Sequence, residues 1–128
     1  MRILAPFLVA FCLMVAPAAS VRAQYVMDIV SLIAAIGVAD LTEAVDGVNR
    51  ANRVYIARVT ELAGIRINGD RLTRAIERRQ RVLDYFRSAI RGGREARRAL
   101  EIHGEELEDV IYATFTNDLT ATLYVDNR

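Results

Sequence analysis

From Arg71 to Arg91 the apolar residues return every three or four positions: Leu72, Ala75, Ile76, Val82, Leu83, Phe86, Ala89 and Ile90. At about 100 degrees per residue these side chains fall on one side of a helix, and a helix with one apolar side has to bury it against something else. The other side carries charge. Residues 71–98 hold ten arginines, no lysine and three acids. Arg71, Arg74, Arg78 and Arg81 form a stripe with Tyr85, whereas Arg87 and Arg91 point elsewhere. Arg79 projects from the apolar side, where an unpaired charge is costly. It is therefore expected to snorkel to the surface or to meet a carboxylate, with Asp28 and Asp109 as candidates.

What the helix packs on is set by its neighbours. Residues 25–47 are apolar almost all round as far as Ala39, then acquire Asp40, Glu43 and Asp46 before Gly47, which reads as a single helix over 24–48 ending near that glycine. Ser31, Ala35 and Ala39 recur at four-residue spacing, which allows close approach by another helix of this chain or of a second copy in a homodimer. Residues 52–62 carry Val54, Tyr55, Ile56, Val59 and Thr60 and read as a strand, although Ala51, Tyr55, Val59 and Leu62 also fit a helical face. Asn68-Gly69 signals a turn, with Asp70 as the cap of the arginine-rich helix over 71–91. Gly92 and Gly93 stop that helix, and a short one follows up to Gly104. Two β-rich runs around the turn Thr116-Asn117-Asp118 make a hairpin over 107–126. This order predicts an α+β fold: one small domain over 24–128 with helices packed on one face of a short sheet that includes the C-terminal hairpin.

Before this domain, Arg2 precedes an apolar run, Ile3 to Ala19, and Val21-Arg22-Ala23 offers small residues for cleavage. The segment 1–23 reads as a secretory signal peptide cut before Gln24, which places the domain in a periplasm or outside the cell. An uncleaved anchor is the alternative, since the run approaches the roughly 18 to 20 residues that span a bilayer. Cleavage also removes Cys12, the only cysteine. The domain then has no disulfide and rests on an ordinary core.

Composition narrows the chemistry. After residue 23 the chain holds no Cys, two serines (Ser31 and Ser88) and one histidine, His103. A nucleophile beside an activating base is not in view, and zinc lacks thiolates and imidazoles. The run His103 to Glu106 is interrupted by Gly104, and Arg91 to Glu95 is too short for a phosphate-cradling loop. No catalytic residue, cofactor or metal is expected. Nucleic acid is disfavoured, because residues 101–126 carry seven acids and no arginine, offsetting the basic segment, and phosphate-gripping proteins usually show a basic excess overall. Two functional readings remain. The first is a non-enzymatic exported domain that meets a protein partner in the envelope, with the hairpin edge offering strand addition. The second is a binder of anionic envelope components, phospholipid head groups or lipopolysaccharide phosphate, through Arg71, Arg74, Arg78, Arg81 and Tyr85, since the planar guanidinium fork suits phosphate. The bland account of the same arginines is a solvated face whose charge is met by the chain's own acids, beginning with Asp70–Arg74 and Glu77–Arg81 at four-residue spacing.

Overall fold

A computed structural model describes Val26 to Arg128; the leader expected at 1–23 lies outside the described residues. Helix α1, Ile29–Val38, starts where Asp28 supplies an oxygen for the otherwise unpaired amide of Ser31, at 2.8 Å. It buries Ile29, Leu32 and Ile36. The single helix expected over 24–48 is in fact two. Asp40 Oδ1 accepts from the Thr42 amide at 3.1 Å and from the Thr42 hydroxyl at 2.6 Å. This local bonding competes with helical continuation and opens α2, Thr42–Arg50, in a new direction. Gly47 does not end a helix either: it lies within α2 against the Phe115 ring, which would overlap any Cβ at that position.

The strand expected over 52–62 is β1, Arg53–Arg58, followed by a single 3-10 turn over Val59–Glu61. Helix α3, Ile65–Arg78, begins six residues earlier than the Asn68-Gly69 signal implies. Gly64, at φ 90°, turns the chain in the left-handed region that glycine enters without strain. Asn68 lies inside the first turns of α3, its amide donating back to the Gly64 carbonyl at 3.0 Å, so Asp70 is not a cap. A break at Arg79, φ −111° and ψ 20°, separates α3 from α4, Gln80–Ile90. The long amphipathic helix is thus two helices. The break lets α3 bury Leu72 and Ala75 beside α1 while α4 buries Leu83, Phe86 and Ile90 beside α2 and the sheet. Helix α5, Arg94–His103, buries Ala96, Ala99 and Leu100 and ends at Gly104, φ 70°. The amides of Gly104 and Glu105 satisfy the carbonyls of Glu101 and Leu100.

The C-terminal hairpin is present as read. After a 3-10 turn over Leu107–Asp109, β2, Val110–Phe115, pairs antiparallel with β3, Thr120–Val125, with an irregularity between Val110 and Tyr112. Strand β3 also pairs in parallel with β1, Arg53 opposite Thr120 through Arg58 opposite Val125, so the sheet order is β1-β3-β2. The fold is α+β, with five helices and a three-stranded mixed sheet in one small domain among the described residues. Five consecutive residues of the central strand, Ala121 to Val125, are buried. Strand neighbours alternate faces, so neither side of β3 is open.

Candidate functional site

Helices α1 and α3 lie side by side in the same direction. The Ile29 amide donates to the Ala63 carbonyl just ahead of α3, and the far end of α1 meets the Arg79 break. On the outside of α3, Ile67, Arg71, Arg74 and Arg78 stand at spacings of four, three and four, which places them on one line along the helix. All four are exposed, Ile67 at 87%. Gly69 and Thr73 are on a different flank, where the carbonyl and hydroxyl accept from the Arg128 guanidinium at 2.9 and 3.0 Å.

No carboxylate pairs with the arginines of this line among the described residues. Arg71 donates to the Asn68 side-chain oxygen at 2.9 Å. Among the described residues Arg74, Arg78 and Arg81 have neither a hydrogen bond nor an ion pair, and the expected partnerships Asp70–Arg74 and Glu77–Arg81 do not close to ion-pair distance. The acids of the C-terminal segment are engaged elsewhere or stand apart from the line. Glu105 pairs with Arg58, which also donates to the His103 carbonyl at 2.9 Å. Asp126 holds Arg128 at 2.7 Å. Arg87, largely buried, donates to the Val110 carbonyl at 2.8 Å and stands 3.4 Å from Asp84. Asp109, near Arg87 and Asp126, has its carboxyl pushed up, first by burial and then by the Asp126 charge.

The break at Arg79 divides the stripe read from the sequence. Arg81 and Tyr85, both exposed, belong to α4 and face a hollow of about 390 Å³ where α1 turns into α2, floored by Ala39, Leu41 and Val82. Arg79 shares this corner and corrects its own forecast. It neither snorkels nor reaches Asp28 or Asp109; its Nη2 donates to the Ala39 carbonyl at the end of α1, and its buried Nε has no partner among the described residues. A cation over the last carbonyls of a helix complements the helix dipole. Asp40, beside it, has its carboxyl held below the usual range, first by the Thr42 hydroxyl, then by the Thr42 amide. Ile67 is the member that sequence reading leaves out, because the Asn-Gly signal places it in a turn rather than on the helix.

Elsewhere His103 sits at the end of α5 with Nδ1 2.9 Å from the Ala99 carbonyl, and Ser31 and Ser88 are on exposed helix surfaces. Among the described residues no three acids, cysteines or histidines gather as a metal would require, and no helix is long and apolar enough to cross a membrane. Comparison with family models, with curated proteins and with solved structures finds no match for this chain.

Proposed function

We propose that this chain is an exported, non-enzymatic domain that docks on the anionic surface of the cell envelope through Arg71, Arg74 and Arg78 on α3, with Arg81 and Tyr85 of α4 extending the contact. The observation that carries the reading is that these arginines are exposed and meet no carboxylate among the described residues. Direct pairing of these arginines with the chain's own acids is absent among the described residues, which leaves their donors free for a ligand. Guanidinium groups at helical spacing offer paired N–H donors to phosphate oxygens. The protein-partner reading has less support from the geometry. The outer edge of β2 runs beside the Ala39-to-Ala44 connection, and its Val110 carbonyl is already taken by Arg87.

Magnitudes shape the proposal. A basic residue near an anionic leaflet contributes about 1 kcal/mol, so the four arginines together supply about 4 kcal/mol, which corresponds to millimolar affinity. Docking through the arginines alone is therefore weak and sensitive to salt. Co-sedimentation with phosphatidylglycerol vesicles and with phosphatidylcholine vesicles tests it. The expected result is binding to the first only, strengthening as ionic strength falls below about 0.1 M because screening is relieved. Absence of binding to phosphatidylglycerol at the lowest salt contradicts the proposal.

A further inference from the structure

The helix beside the arginine line has an unusual outer surface. No charged residue lies between Asp28 and Asp40, and at four-residue spacing α1 turns Val30, Ala34 and Val38 to solvent. Val30 is 49% and Val38 83% exposed, and Val26, just ahead of the helix, is 39% exposed. Contiguous apolar exposure on a small domain marks an interaction surface. Two features select its occupant. Helix α3, packed on α1 and running in the same direction, carries Ile67 at the head of three exposed arginines that meet no carboxylate among the described residues, so cations stand on the helix beside the apolar ridge. At ten residues α1 is about 15 Å long, half the thickness of a bilayer core, so it fits lying in the interface and not across it.

We infer that α1 and α3 form one bilayer-docking face: Val30, Ala34 and Val38 enter the boundary between head groups and acyl chains of an anionic phospholipid membrane, while Arg71, Arg74 and Arg78 hold the lipid phosphates around them. This deepens the reading above and rests on it, because it names a lipid bilayer as the anionic partner and assigns the part of the affinity that salt does not screen. Amphipathic helices bind membrane surfaces by this division of labour between buried apolar area and cationic attraction.

The chain has no tryptophan, so Val38→Trp introduces a single fluorescent reporter at an exposed site. With vesicles of phosphatidylglycerol and phosphatidylethanolamine, the emission of this variant is expected to shift to the blue and to be quenched by lipids brominated near the head group. Val30→Asp with Val38→Asp, checked for folding by circular dichroism, is expected to lower vesicle partitioning at 0.1 M salt at least about tenfold. Arg74→Gln with Arg78→Gln should lower the salt-dependent part instead, leaving a flatter salt dependence. If the aspartate pair binds as well as the parent while the arginine pair loses binding, α1 does not insert, yet the anionic reading survives. If neither pair changes binding, both fall. Unshifted emission from vesicle-bound Val38→Trp protein also overturns insertion. So does a concentration-dependent dimer that the aspartate pair dissolves without affecting vesicle binding, because the ridge then belongs to a second copy.

Discussion

At the scale of single residues, Asp109 is the carboxylate whose setting runs against its charge. Burial and the neighbouring Asp126 raise its pKa, with Glu105 and Glu108 adding to the rise, and Arg87 offsets only part of it. A carboxyl group whose pKa is raised by folding binds its proton more tightly in the folded state than in the unfolded one. It therefore favours folding most at low pH, and that contribution is lost as pH climbs from the ordinary carboxylate range through the raised value. Asp109→Asn removes the ionisation. The expected outcome is a higher thermal midpoint than the parent at pH 7 and a difference that closes as pH falls toward 3, read by circular dichroism melts. A variant less stable than the parent at pH 7 would show that the attraction of Arg87 outweighs burial. Asp28 has the opposite sign: the Ser31 amide holds its carboxyl low, so its support of α1 is present above the ordinary carboxylate range and fades on acidification.

At the scale of elements, the hydrophobic period was the most legible property of the chain and its interruptions the least. Leu72 and Ala75 before the break, and Leu83, Phe86 and Ile90 after it, are all buried, as one continuous wheel requires. A break of a single residue at Arg79 barely disturbs a spacing of three and four, so nothing local reveals it. It follows from the tertiary contact of Arg79 with the end of α1, some forty positions away in sequence. The division of the N-terminal helix was written locally, in Asp40 and Thr42, but an apolar run on one side and an acidic stretch on the other masked it. Asn68-Gly69 misled for a related reason: Gly64 has already made the turn, so Asn68 bonds back to the Gly64 carbonyl from inside the helix and Gly69 simply continues it. The rotation of α4 is directly testable. Leu83→Ala and Phe86→Ala should each cost about 2–5 kcal/mol as core truncations, whereas Tyr85→Ala, next to Phe86 and 60% exposed, should stay within about 0.5 kcal/mol. Denaturant unfolding checks all three, and a reversal of the order would mean that the helix is turned the other way.

Over the whole molecule the question is where the charge goes. The counts of acids and arginines in the sequence nearly cancel, and cancellation by count invites the view that the two blocks neutralise each other in space. They do not. Ion pairs join Glu105 to Arg58, from β1, and Asp126 to Arg128, at the C-terminus, while Arg87 of α4 lies near Asp109; the outer line of α3 keeps its cations for solvent. The α+β architecture and the hairpin were readable from element order, and Arg71, Arg74 and Arg78 from helical spacing. Which arginine meets which acid was not, because that depends on how β1, α4 and the terminus converge. The measurement closest to the central claim is the salt dependence of phosphatidylglycerol-vesicle binding by the Arg74→Gln, Arg78→Gln double variant, alongside its unfolding curve. At about 1 kcal/mol for each arginine, the expected result is roughly thirtyfold weaker binding at low salt, a flatter salt dependence and a stability change of about 0–1 kcal/mol. Binding and salt dependence equal to the parent's, in a variant that folds equally well, would contradict it.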